Sequence, residues 1–163
     1  MTHSRHERAT ALVGASAEAV FAYLDDPSAL GAHMSERSAM MMGGRMTYDL
    51  DAAHGQSVGS VIRMRGTMLG LALAVEEVVV EREPPVRKVW ETLGPQRLVV
   101  IEAYRMGFEI MRDGDGSRLL VFIDYTIPPT GLRWLLGWLT ARRYALWCVR
   151  QMIRGAVARF GEA

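Results

Sequence analysis

The segment from Leu132 to about Phe160 constrains this chain more than any other. On a helical wheel Leu132, Leu135, Leu136, Leu139, Leu146, Ile153 and Val157 fall on one side at steps of three and four, so the spacing predicts one long amphipathic helix. Arg143 and Arg150 share that stripe. A helix packed on a solid core keeps its centre line uncharged, because an unpaired buried guanidinium is costly. An apolar helix with a few polar points, laid over a curved antiparallel sheet, instead encloses a cavity, and a cavity of that kind suits a small hydrophobic ligand.

The residues before the helix are mostly strand-like. Residues 9–14 read as a first strand, and Ser16 offers its hydroxyl as the N-cap of a helix through Leu24. Pro27 disfavours helical geometry at Asp26, while Ser28 caps a second short helix over Ala29–His33. Residues 45–51, 58–66, 71–82, 86–93, 98–112 and 117–127 read as six further strands. They are separated by the turn 52–57, by Pro84-Pro85, by Gly94-Pro95 and by the hairpin turn Asp113-Gly114-Asp115-Gly116. Pro128-Pro129-Thr130-Gly131 then breaks the sheet and opens the long helix. The expected fold class is α+β: a curved seven-stranded antiparallel sheet around a long C-terminal helix, with two short helices after strand one. Residues 1–163 are expected to form a single domain, its core spanning about 6–161.

Alternation assigns the faces, because charged residues mark the solvent side of a half-buried strand. Tyr104, Met106, Phe108 and Ile110 point one way and Arg105, Glu109 and Met111 the other. Leu119, Val121, Ile123 and Tyr125 form the inward series of strand seven, Ile62 and Met64 that of strand three, and Trp90 faces inward in strand five. Glu102, Arg105 and Glu109 do not share one parity, which predicts a bulge or an inward polar residue near Ala103.

Composition narrows the function classes. The net charge is +1 with both signs interspersed, so the basic stripe of a nucleic-acid binder is absent and no nucleic-acid partner is expected. A single cysteine, Cys148, cannot form an internal disulfide and points to a reducing interior. No Cys/His cluster has zinc-ligand spacing, and neither a Ser-His-Asp set nor a phosphate-binding glycine loop is present, so no metal and no cofactor are expected. The N-terminus lacks a signal-peptide core, and nowhere do the roughly 18 uncharged apolar residues of a span run together. The expectation is a soluble, cytoplasmic protein without stable membrane insertion.

The order of one strand, two short helices, six strands and a long helix carries a resemblance. Together with Ala17–Leu24 followed by Asp26-Pro27-Ser28, Gly59-Ser-Val-Ile-Arg-Met-Arg-Gly66, Val80-Glu-Arg-Glu-Pro-Pro85 and Gly116-Ser-Arg-Leu-Leu-Val121, it resembles the START-like SRPBCC superfamily, and within it the polyketide cyclase/dehydrase and lipid-transport group. The likeness covers roughly residues 6–161. It implies a helix-grip fold with an apolar cavity between sheet and helix, and ligands such as lipids, polyketides, sterols or quinones. Some members cyclise or dehydrate their ligand, and they share no universal catalytic residues. The aromatic frequent after the second helix is here His33-Met34.

Ile62, Met64, Trp90, Tyr104, Met106, Phe108, Val121 and Ile123 are therefore the expected cavity residues, with Leu139 and Leu146 from the helix. The methionines among them are adaptable, as a pocket for varied apolar ligands requires. Arg143 and Arg150 would present a guanidinium to a ligand carboxylate. Their ordinary alternative is to snorkel to water or to pair with Glu102 or Asp124. Tyr125, Tyr104 and His33 are the candidate proton donors if the protein is a cyclase/dehydratase-type enzyme. Trp134 and Trp138 near the helix start would mark a membrane-touching or subunit-contact patch if outward, which keeps a homodimer and an interaction module in view.

Overall fold

The computed structural model describes residues 5–27, 46–68, 71–94, 96 and 98–163. The second short helix expected over 29–33, with His33, Met34 and Met40 to Met42, lies outside the described residues. Strand β1 (Arg5–Val13) leads into helix α1 (Ala17–Asp25), followed by β2 (Met46–Leu50), β3 (Val61–Met68), β4 (Leu71–Glu83), β5 (Arg87–Thr92), β6 (Ala103–Asp113), β7 (Gly116–Thr126) and helix α2 (Gly131–Phe160). The strands form one curved antiparallel sheet in the order β1-β7-β6-β5-β4-β3-β2. This is the expected α+β helix-grip architecture.

Local chemistry sets the boundaries. The Ser16 hydroxyl accepts from the Ala19 N–H at 3.3 Å and starts α1. In the β6–β7 hairpin Gly114 takes φ +59°, the left-handed backbone that a tight turn requires and that glycine adopts without strain. On the concave side Val20, Phe21 and Leu24 of α1 pack against Phe108, whose ring meets Phe21 edge-on at 5.5 Å and Trp90 at 6.3 Å.

A bulge in β4 decides which charges face inward. Leu73, Val75, Glu77 and Val79 form the buried series, and between Val79 and Glu81 the register with β5 slips. Past the slip Arg82 turns toward α1, and Glu81 reaches Arg87 and Arg105 on the other face. Asp25 at the end of α1 accepts from Arg82 Nη2 and from Lys88 Nζ, each at 2.7 Å. Burial pushes the Asp25 carboxyl up, but the hydrogen bonds from Arg82 and Lys88 outweigh it and hold it below its ordinary range. Two cations thus fasten the end of α1 to the sheet.

The structure corrects three expectations. The sixth strand begins at Ala103 rather than at 98, since Leu98 to Ile101 leave the ladder and turn their side chains into the interior. Glu102 therefore precedes the strand, the parity conflict disappears, and the ladder irregularity lies in β4. The buried face of α2 is not the leucine stripe but Gly137, Ala141, Ala145, Val149, Met152, Gly155 and Ala156. Leu132 and Leu139 are 72% and 56% exposed. The reason is distance: a Cβ on Gly137 would stand 2.8 Å from the Val100 carbonyl oxygen, so this side of the helix sits too close to its neighbours for leucines.

Overpacking that face is expected to be more damaging than truncating the stripe. Ala145→Leu should lower the stability measured by urea unfolding by about 1–3 kcal/mol. Leu139→Ala should change it by less than about 0.5 kcal/mol.

Candidate functional site

The small residues of α2 seat the helix on β1 and β7. The inner face of the other strands, together with Ile123 of β7, is left looking across a gap, a cavity of about 180 Å³. Tyr48 of β2, Ile62 and Met64 of β3, Leu73, Val75 and Glu77 of β4, Trp90 of β5, Tyr104 and Met106 of β6 and Ile123 of β7 form one wall. Tyr144, Trp147, Cys148, Gln151 and Met152 of α2 form the opposite wall, and Leu98 to Ile101 bridge the two. The lining is apolar apart from a few groups placed by alternation.

Glu77 is the most consequential of those groups. It continues the inward series Leu73, Val75 and Glu77, while its neighbour Glu76 faces the other way and pairs with Arg63 at 3.0 Å. Glu77 is 6% exposed, and the Tyr104 hydroxyl donates to its Oε1. Burial pushes its carboxyl up to about 7, against the opposing pull of the Tyr104 hydroxyl, the Trp90 indole and the Lys88 charge. Tyr104 itself titrates well above its ordinary value, because burial and the adjacent Glu77 both disfavour a phenolate. Opposite them, burial pushes the Cys148 thiol up to about 12, beside a hydrogen bond with Tyr144. The site therefore holds a carboxyl that changes charge near neutrality, in contact with a phenol that stays protonated.

Of the expected cavity residues, Ile62, Met64, Trp90, Tyr104, Met106 and Ile123 come together on the wall. Phe108 and Val121 do not line it, being fully buried in the solid core. Leu139 is exposed and Leu146 half-buried, neither of them on the wall, and Arg143 and Arg150 are exposed. Their heads cannot anchor a ligand inside, because α2 turns Ala145, Cys148 and Met152 inward instead. Asp124, offered as their partner, holds His6. Tyr125 is 1% exposed but buried in the core away from the cavity, and His33 lies outside the described residues. Glu77 escaped the sequence reading, although two successive glutamates in an alternating strand require one of them to face inward.

Several solved structures share this fold. A Chromobacterium violaceum protein, CV1439, superimposes with TM-score 0.65 at 17% identity over 97% of this chain and 98% of its own. The major latex-like protein 151 of Panax ginseng gives TM-score 0.58 at 13% identity, covering 91% and 94%. The di-domain ARO/CYC StfQ from the steffimycin biosynthetic pathway gives TM-score 0.65 at 16% identity over 94% of this chain and 49% of that one. No family model and no curated protein matches. At these identities the likeness shows a shared fold, the helix-grip architecture described above. Among the described residues no helix is long and apolar enough to cross a membrane.

Glu77 gives the fold a pH dependence with a definite sign. Its carboxyl titrates near 4.5 when unfolded and about 7 when folded, so the native state holds the extra proton between those values and stability falls as pH rises through them. Asp25, shifted down, acts only below its ordinary value of 3.8, outside that window. Glu77→Gln should be close to neutral at about pH 5 and more stable than the parent by up to about 3 kcal/mol at about pH 8, measured by urea unfolding at both.

Proposed function

We propose that the protein binds a small hydrophobic molecule, lipid-, polyketide- or quinone-like, in the cavity between the sheet and α2. The observation that carries this reading is an apolar chamber of about 180 Å³ left open in an otherwise packed interior. The shared fold supports it, as do the three methionines of the lining, Met64, Met106 and Met152, which adapt to varied apolar shapes. A cytoplasmic location is part of the proposal and rests on the single cysteine.

A second reading, a cyclase/dehydratase-type enzyme, is favoured by one observation. Glu77 and Tyr104 place two proton-bearing groups in contact inside the chamber, where a ligand carbonyl would need them. Turnover of poly-β-keto substrates that falls by about a hundredfold or more in Tyr104→Phe, at unchanged affinity, would establish it.

Native mass spectrometry of protein purified from its own host tests the binding reading directly. The expected result is a co-purified apolar molecule that disappears in Val75→Phe, a variant that fills the chamber. Its affinity for an added hydrophobe should fall at least about tenfold while the fold, followed by circular dichroism, is retained. A parent protein that carries nothing and takes up no hydrophobe sinks the proposal.

A further inference from the structure

The head group of the ligand is constrained by which polar capacity the chamber leaves unfilled. On the cavity wall the Lys88 ammonium is committed to Asp25, donating to its backbone oxygen at 2.9 Å and its carboxyl at 2.7 Å. The Tyr104 hydroxyl is committed to Glu77, and Tyr144 and Cys148 lie beside each other on α2. Glu77 is the opposite case. Its two oxygens offer about four acceptor positions, of which the Tyr104 hydroxyl fills one and the Trp90 indole lies beside a second. The charged or titratable groups around it are Lys88 of β5, Tyr48 of β2, Tyr104 of β6, and Tyr144 and Cys148 of α2. No cation contacts it among the described residues, and Arg143 and Arg150 point to solvent.

We infer that the chamber selects an apolar molecule whose polar end donates a hydrogen bond, a hydroxyl or an amine, and rejects a carboxylate. This rests on the cavity-binding reading. A donor completes an acceptor already buried at no new desolvation of protein, whereas a carboxylate meets like charge with no free cation to balance it. The original expectation of an arginine anchor for acidic ligands is thereby reversed in sign.

Calorimetric titration with 1-decanol, decylamine and decanoate, one tail with three heads, tests it on the parent and Glu77→Gln. At about pH 8 the parent should bind the alcohol and the amine, and decanoate about 10- to 100-fold more weakly. At about pH 5.5 the gap between decanoate and decanol should narrow as Glu77 takes up its proton. In Glu77→Gln at the higher pH, decanoate should approach decanol, and decylamine should lose about tenfold or more. The same decanoate-to-decanol ratio in both proteins overturns the head-group inference alone. Failure of all three to bind the parent overturns the cavity reading and this inference with it.

A separate observation concerns the outer side of α2. Its first turns expose Leu132, Trp134, Leu135, Trp138 and Leu139, and the helix carries six arginines and no acidic residue. Arg142 pairs with Glu7 and Arg133 reaches the Leu98 carbonyl, which leaves Arg143 and Arg150 exposed on the leucine side. We propose that this face of α2 docks on an anionic bilayer surface, with the leucines and tryptophans at the acyl boundary and Arg143 and Arg150 among the head groups. Self-association through the same face would set like charges together, which disfavours a second copy as occupant. Vesicles of phosphatidylcholine with and without phosphatidylserine, sedimented with the protein, provide the test. Binding should require phosphatidylserine, weaken with salt, fall about fivefold for each of Arg143→Gln and Arg150→Gln, and vanish in Leu132→Ser/Trp138→Ser/Leu139→Ser. Absence of binding, binding indifferent to these variants, or a dimer that the triple variant dissolves overturns it.

Discussion

Close approach between α2 and one end of the sheet governs the rest of the molecule. Ala141, Ala145, Gly155 and Ala156 remove side-chain bulk from the helix that packs on β1 and β7, and Gly137 does the same against Val100 and the turn after β7, so the helix axis sinks toward that end of the sheet. A rigid helix lowered at one side of a curved sheet cannot also fill the space under the other side. The wall from β2 to β6 is left to cover that space alone, and the chamber is the geometric remainder. The exposed leucines are the other consequence of the same choice, since a helix with its small residues inward must carry its large ones elsewhere.

Two buried carboxylates show how differently a fold can treat a charge. Asp25 sits between Arg82 and Lys88, each within 2.7 Å, and is held ionised. A pair of that kind is costly to break, because the surviving ion has no water to return to. Glu77 has a phenol and an indole near it but no cation in contact, so burial dominates and the proton stays on to about pH 7. The first carboxylate fastens a helix. The second leaves the lining chemically unfinished, and an unfinished polar group in a chamber is what a ligand can complete.

The succession of seven strands along the chain, the hairpin at Gly114, the Ser16 cap and the inward series of β3, β6 and β7 were all legible from local chemistry, because period-two alternation and turn residues act over a few positions. The rotation of α2 was not. A stripe of leucines looks like a buried face until the separation of helix and sheet is known, and that distance is a property of the packed whole. The strand expected to start at 98 failed for a related reason: Leu98 to Ile101 are apolar enough for a strand, but their work is to close the chamber. Glu77 was legible in principle. The alternation applied to β6 and β7, if carried through β4, puts Leu73, Val75 and Glu77 on one face.

The lone cysteine gives the chamber its own clock. Cys148 lies on the α2 wall, and its thiol, pushed up to about 12, is almost wholly protonated at neutral pH and therefore a poor nucleophile. Since the chain holds no second thiol, any modification by a small thiol reagent is a single chemical event on that wall. The slowing of that event by an occupant measures how long the occupant stays.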